Sequence, residues 1–347
     1  MAFILYSFAE GINNVIGKEI LGYDKSPIST AMIAIILGLI LGNIFKIREG
    51  FLIGLDFTQK YILKLGIICL GIQLKPFEFI KFGSIAIPLI IVCIVSVLIV
   101  IKLLIKKLKI SRGMSYLIAI GSTVCGTTAI IATAPVINAK KSEISYAIAN
   151  MTVFGVLAML IYPYFANFYF EGDPMFVGLF LGTAIHETSQ VAAAGLIYDQ
   201  QFNSPETLNI STVTKLIRNT FLVIMIPLFA YLYNRGQKHE KNYSIINIFP
   251  YFVLGFIALI VLRNVGDAFF LQTNISGENM WVEFVDLIKS SAKVFLSMAM
   301  AAVGLSTNLK DLKSMGYKPF IVGFVSLLTV GIVSLTAIEF FNNLILN

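Results

Sequence analysis

The chain has 347 residues, of which 57% are hydrophobic and 13% are charged, and its formal net charge is +7. Soluble domains contain about 25% charged residues, so this composition excludes a soluble protein and predicts an integral membrane protein. The positive charge fits the Lys and Arg excess of cytoplasmic loops. The sequence contains no basic stripe with interleaved aromatic residues, so we expect no nucleic-acid partner.

Residues 1–25 differ from the rest of the chain. Polar and charged side chains interrupt this segment, and its apolar residues recur at helical spacing. The pattern predicts an amphipathic N-terminal helix at the membrane interface rather than a cleavable signal. Residues 26–347 contain no linker or low-complexity stretch, and we expect them to form a single transmembrane domain.

Ten apolar runs follow, each long enough for the about 20 helical residues that cross a bilayer core. They lie near 28–46, 57–75, 83–106, 113–137, 144–170, 174–198, 213–234, 245–271, 284–308 and 319–343. Continuous runs exclude a β-barrel and predict an all-α polytopic protein. The distribution of Lys and Arg between the loops places both termini outside the cytoplasm.

The fourth and sixth runs contain polar stretches that align without gaps: GSTVCGTTAIIATA (121–134) and GTAIHETSQVAAAG (182–195). One interpretation is close helix packing through small and hydroxyl residues. The other is a discontinuous helix whose free N–H groups and dipole face a cavity at mid-membrane. On that second interpretation the candidate substrate-binding residues are Ser122, Thr123, Gly126, Thr127, Thr128, Thr183, Thr188, Ser189 and Gln190.

His186 and Glu187 stand in the middle of the sixth run. A charge at mid-bilayer costs roughly 2.5–3.5 kcal/mol on insertion scales, so such residues either pair structurally or line a cavity. In a cavity they would load a coupling proton. A zinc protease needs HExxH, but Gln190 replaces the second histidine. We therefore expect no metal and no cofactor, and, without a nucleophile–base pair, no enzyme.

The seventh run opens with STVTKLIRN (211–219), in which Lys215 and Arg218 share one helical face. They either extend to the membrane edge or face the cavity. In the cavity, an ammonium, a guanidinium and helix N-termini suit a tetrahedral oxyanion. In the eighth run, Arg263 and Asp267 are four residues apart, which predicts a local ion pair.

A second internal resemblance supports an inverted repeat, because it joins runs of opposite direction. It relates Gly71, Leu74, Lys75, Lys81 and Gly83 to Gly304, Leu309, Lys310, Lys313 and Gly316.

Six stretches together resemble the YeiH-like family of sulfate exporters from bacterial inner membranes. They are LGLILGN (37–43), LGIICLGIQL (65–74), GSTVCGTTAIIATAPVINA (121–139), GTAIHETSQVAAAG (182–195), TKLIRN (214–219) and FLSMAMAAVGLSTNLKDLKSMGYKP (295–319). The resemblance implies a secondary transporter distantly similar to the cation–proton antiporter and bile-acid transporter group. It also implies inverted repeats and two crossed discontinuous helices.

These observations lead to one hypothesis and two alternatives. We expect a secondary active transporter that exports sulfate or an organosulfonate, coupled to protons or sodium. Lys215 and Arg218 would neutralise the anion, and His186 with Glu187 would carry the coupling. The alternatives are a sodium–proton antiporter, in which Glu187 and the hydroxyls bind sodium, and a passive channel. The sequence leaves open whether the chain forms a homo-oligomer.

Overall fold

A computed structural model describes residues 1–15, 29–45, 47–74, 76–108, 110–234, 251–271, 278–307 and 317–346. All regular elements in these ranges are helical. They are α1 (Ala2–Asn14), α2 (Thr30–Ile44), α3 (Glu49–Phe57), α4 (Leu63–Leu70), α5 (Pro76–Leu108), α6 (Arg112–Thr123), α7 (Gly126–Thr133), α8 (Lys141–Tyr169), α9 (Pro174–Ala184), α10 (Thr188–Phe202), α11 (Pro205–Thr220), α12 (Leu222–Asn234), α13 (Phe252–Gly266), α14 (Glu278–Ser306) and α15 (Tyr317–Leu346). A π-helical turn, Thr58–Ile62, joins α3 to α4, and a second, Asp267–Leu271, continues α13.

Six helical stretches of the described chain are long and apolar enough to cross a membrane. They are Phe79–Leu104, Ser142–Tyr169, Pro205–Tyr233, Phe252–Phe270, Asn279–Ser306 and Tyr317–Phe341. The protein is therefore a multi-pass membrane protein. The ten predicted runs include these six and four others that are shorter or interrupted, among them the apolar helices Thr30–Ile44 and Pro174–Ala184.

Side-chain caps define where the helices leading into the polar stretches begin. The Asp173 carboxylate accepts the N–H groups of Met175 and Phe176 at 2.9 and 3.0 Å, and Pro174 occupies the first turn of α9. Ser111 precedes α6, and its hydroxyl accepts the N–H of Met114 at 3.4 Å. Such residues supply the acceptors that the first helical N–H groups lack.

The chain divides into two compact units. The first contains Met1–Phe82, Ala192–Thr212 and Tyr251–Asn308, and the second contains Gly83–Val191, Val213–Pro250 and Leu309–Asn347.

In the first unit, α2 and α14 approach each other through glycines. A β-carbon on Gly38 would lie 2.8 Å from the carbonyl oxygen of Ala301, and one on Gly304 would collide with the carbonyl of Ile35. Small residues of this kind let two membrane helices make backbone contact. Asn43 then joins the helix ends, because its Nδ2 donates to the carbonyls of Leu39 and Thr307, both at 2.8 Å.

The N-terminal helix α1 packs against the same pair. Its residues Ala2, Leu5 and Ala9 are buried with side chains of α2 and α14. The interfacial position of α1 stays a prediction, and residues 16–28 lie outside the described chain.

The predicted ion pair of α13 is confirmed. Arg263 Nε lies 2.7 Å from Asp267 Oδ2, and Trp281 Nε1 donates to the other carboxylate oxygen at 2.9 Å. In the second internal resemblance, Lys75 and residues 308–316 lie outside the described chain.

In the second unit, α8 and α9 pack on α15. Asn150 Nδ2 donates to the carbonyl of Pro319 at 2.6 Å, and the ring of Phe154 lies 5.0 Å from that of Phe320. The hydroxyls of Thr183 and Ser334 are 2.5 Å apart. The last of these contacts holds the C-terminal end of α9 against α15.

We predict that Gly304→Ala destabilises the protein by about 1–3 kcal/mol, because the added methyl meets the backbone of α2. The matched control is Gly54→Ala in α3, where nothing lies within 4 Å of a β-carbon and helix propensity improves by up to about 1 kcal/mol. Thermal unfolding of purified protein in lipid nanodiscs measures both changes. Equal melting temperatures for the two variants would contradict the close helix contact.

Candidate functional site

Two helical segments of the second unit stop and restart within polar sequence. α6 ends at Thr123 and α7 begins at Gly126, so residues 124–125 form a first interruption. α9 ends at Ala184 and α10 begins at Thr188, so residues 185–187 form a second interruption. The discontinuities predicted for 121–134 and 182–195 are therefore both present.

The backbone conformation explains why the first interruption contains glycine. Gly126 has φ +39°, a left-handed value that glycine adopts without steric cost. A β-carbon there would also collide with the side chain of Glu187. In the gap-free alignment of the two stretches, Thr123 corresponds to Ala184, so α6 and α9 end at equivalent positions.

Lys215 lies where these two helix ends meet. Its ammonium is fully buried and donates to the carbonyls of Val124 at 3.0 Å, Ile185 at 3.1 Å and His186. Three acceptors match the three N–H donors of an ammonium, whereas a neutral amine would supply only two.

Arg218, one turn further along α11, binds the same two ends. Its Nη2 donates to the Ser122 carbonyl at 2.6 Å, and its Nη1 donates to the Thr183 carbonyl at 2.5 Å. Nε and Nη1 also reach the carbonyls of Thr123 and Ile185, at 2.9 and 3.3 Å. The side chain is 1% exposed.

The two cations thus recognise equivalent backbone groups in both stretches. Val124 corresponds to Ile185, and both carbonyls bind Lys215; Ser122 corresponds to Thr183, and both carbonyls bind Arg218. The last carbonyls of a helix lack intrahelical partners and carry the negative end of its dipole. A buried cation is stabilised by such acceptors, because unpaired it would be very costly.

Glu187 supplies the opposite charge at the start of α7. One carboxylate oxygen accepts the backbone N–H of Thr127 at 3.1 Å and also the hydroxyl of the same residue. The positive end of a helix favours an anion at this position. Cations therefore bind the C-terminal ends at the two interruptions, and a carboxylate binds an N-terminal end.

Asn219 connects α11 to the start of α10. Its Nδ2 donates to the hydroxyl of Thr188 at 2.9 Å, and the Cys125 thiol lies 3.3 Å from that hydroxyl. Asn219 is 2% exposed, and its Oδ1 has no hydrogen-bond partner.

The His186 ring is buried beside these groups. The side chain is 1% exposed, and neither ring nitrogen makes a hydrogen bond of good geometry, although the backbone of Ala184 approaches it. Its backbone carbonyl, in contrast, is bound by Lys215.

Four predicted side chains bond within the protein, Thr123 to its own helix and Ser122, Thr183 and Gln190 to neighbouring helices. The Thr123 hydroxyl bonds back to the Ala119 carbonyl at 2.9 Å, and that of Thr183 bonds to Leu179 at 2.7 Å. Ser122 Oγ contacts the Met151 sulfur, and Gln190 Nε2 donates to the Thr152 carbonyl at 3.3 Å.

The other predicted polar side chains form a partly exposed group at the helix starts. Thr128 is exposed, and four residues are half-buried: Thr127, Glu187, Thr188 and Ser189. These five residues lie at or next to the starts of α7 and α10.

Sequence reasoning missed two residues of this site, Asn219 and Cys125. Asn219 lies four residues after Lys215, so helical spacing already put both side chains on one side of α11. Cys125 aligns with His186 between the two stretches.

Comparisons with known proteins give the chain a family context. The model of a family described as "Conserved hypothetical protein 698" matches residues 4–323. The UPF0324 membrane protein SAG1125 of Streptococcus agalactiae serotype V is 36% identical over 318 residues, which are 91% of each chain. The UPF0324 membrane protein FN0533 of Fusobacterium nucleatum is 35% identical over 87% of this chain and 88% of its own. A UPF0324 membrane protein of Clostridium tetani is 30% identical over 93% of this chain and 90% of its own. No solved structure matches this chain.

We predict that Lys215→Met strongly destabilises the protein. The substitution keeps a long side chain but leaves three buried carbonyls without their donor, and each such loss costs about 1–3 kcal/mol. The matched control is Lys102→Met, because Lys102 is exposed on α5. Thermal unfolding in detergent should separate the two variants clearly, and equal stability of both would show that the carbonyls do not depend on Lys215.

Proposed function

Because this chain belongs to the UPF0324 family of membrane proteins, whose model carries the description "Conserved hypothetical protein 698", we propose that it is a secondary active transporter. It exports a small oxyanion, sulfate or an organosulfonate, coupled to protons or sodium. The observation that carries this proposal is the meeting of two helix interruptions, where buried cations bind the C-terminal ends and the N-terminal ends stay partly exposed.

Interrupted membrane helices are typical of secondary transporters. Their half-helix ends supply backbone donors and acceptors at mid-membrane, where substrate and coupling ion bind. The resemblance to the YeiH-like exporters and the second internal resemblance, which joins runs of opposite direction, support an inverted-repeat fold of about ten spans in a bacterial inner membrane.

The distribution of donors and acceptors favours an anion over sodium as substrate. Unwound backbone carbonyls coordinate sodium in transporters of this kind, but the carbonyls of Ser122, Val124, Thr183 and Ile185 are already bound by Lys215 and Arg218. Helix N-termini, in contrast, are ready-made anion sites. This asymmetry argues for an oxyanion exporter rather than a sodium–proton antiporter.

Each predicted residue has a role in this proposal. The hydroxyls of Thr127, Thr128, Thr188 and Ser189, with the backbone amides of both helix starts, form the substrate cradle. The backbone that presents this substrate cradle is shaped by five further residues: Ser122, Thr123, Gly126, Thr183 and Gln190. Lys215 and Arg218 offset the anion's charge at short range, although backbone carbonyls occupy their donors. Glu187 and His186 carry the coupling.

The proposal is tested by solid-supported-membrane electrophysiology on purified, reconstituted protein. The protein is challenged with sulfate, sulfite, taurine, chloride and sodium, each with and without a pH gradient. A saturable, pH-dependent current evoked by an oxyanion is the expected result. A response to sodium alone would indicate a sodium–proton antiporter, and an ohmic, unsaturable current would indicate a passive channel.

We predict that Thr188→Val weakens the apparent affinity for the oxyanion by about tenfold, because one hydrogen bond to a charged ligand contributes about 1.5–3 kcal/mol. Thr336→Val is the matched control, since Thr336 is exposed on α15 and bonds only to its own helix. Concentration dependence of the current measures both. Equal affinities of the two variants would show that the Thr188 hydroxyl does not bind the substrate.

A further inference from the structure

The start of α7 already holds an anion that belongs to the chain. The backbone N–H groups of Thr128 and Ala129 donate to the Cys125 carbonyl at 3.1 and 3.4 Å. The N–H of Thr127 instead donates to the carboxylate of Glu187. A substrate oxyanion that uses this N–H and the Thr127 hydroxyl must therefore take the place of the carboxylate.

Two negative groups cannot share this place. Both would need the same donors, and like charges at contact distance repel strongly. Protonation of Glu187 removes its charge and turns one oxygen into a donor. The neutral carboxyl group binds the Thr127 N–H more weakly, so an anion can replace it.

A protonated Glu187 needs an acceptor for its O–H group, and the residues on either side of it in the chain are associated with buried, unpartnered polar atoms. The Asn219 amide is bound to Thr188, the residue that follows Glu187, and its Oδ1 is unpartnered at 2% exposure. The ring of His186, the preceding residue, is equally buried. These polar groups form a second, independent sign of a ligand-exchange site at the helix starts.

From these contacts, and resting on the proposed function, we propose that Glu187 is a tethered competitor of the transported oxyanion. Its carboxylate binds the start of α7 when no substrate is bound, and the oxyanion replaces it when Glu187 takes up one proton from water. Substrate and proton are then bound together.

The charged and titratable groups around Glu187 are consistent with this exchange. Lys215 and Arg218 approach from α11, Cys125 lies in the first interruption, and His186 adjoins Glu187 in the chain. The two cations keep the region positive while the carboxylate and the oxyanion exchange. Sulfate with one proton carries a net charge of minus one, which a membrane potential that is negative inside drives outward.

The test is isothermal titration of inorganic sulfate, and in separate runs of taurine, into purified protein in nanodiscs. It is run at several pH values in buffers of different ionisation enthalpy, which together count the protons taken up per sulfate. The wild type should take up one proton per sulfate, and wherever it does so its affinity should fall about tenfold for each unit rise in pH. Glu187→Gln should bind sulfate with no proton uptake and with a flat pH profile.

Two further variants make the result decisive. Glu206→Gln, an exposed carboxylate in the first turn of α11, should keep the wild-type proton uptake. Glu187→Ala should match Glu187→Gln, and it serves if the glutamine variant does not fold.

The outcomes separate this inference from the proposed function. If the wild type binds sulfate without proton uptake, or if Glu187→Gln retains the uptake, the tethered-competitor inference is overturned and oxyanion binding stands. If no variant and no wild-type sample binds sulfate or taurine at any pH, the proposed oxyanion function fails and the inference fails with it.

Discussion

The site depends on the binding of backbone carbonyls by two buried cations. Two helices end inside the second unit, and their last carbonyls need donors that neighbouring apolar side chains do not provide. Lys215 and Arg218 supply seven hydrogen bonds to these ends. Because each cation reaches both helices, one face of α11 stabilises both interruptions and holds them at the same place.

This arrangement also determines which groups are left for a ligand. With the carbonyl ends occupied, the accessible backbone polarity at the interruptions is the positive polarity of the helix starts. Within the chain, the Glu187 carboxylate binds this positive end through the backbone N–H and the hydroxyl of Thr127. A site with this polarity suits an anion, and the carboxylate of Glu187 is the anion that the chain itself places there.

Much of the fold and part of the site could be predicted from the sequence. Long apolar runs indicated the spans, and hydroxyl and charged residues between glycines indicated both interruptions, because such residues are costly in lipid. The partners of Lys215 and Arg218 could not be predicted in this way. Backbone carbonyls exist at every residue, so no side chain marks the ones that lose their helical partners. The residue types of Ser122 and Thr183 likewise gave no sign that their hydroxyls contact neighbouring helices.

Recognition through the main chain has a consequence for how the two stretches can diverge. α11 binds Val124 and Ile185, and Ser122 and Thr183, through atoms that all amino acids share. An insertion in either stretch would shift its carbonyls away from the shared cations, whereas a change of side chain leaves them in register. Two stretches under this constraint keep the same length and path, but their side chains are free to differ. That freedom accounts for a cysteine and a glycine at 125–126 standing opposite a histidine and a glutamate at 186–187.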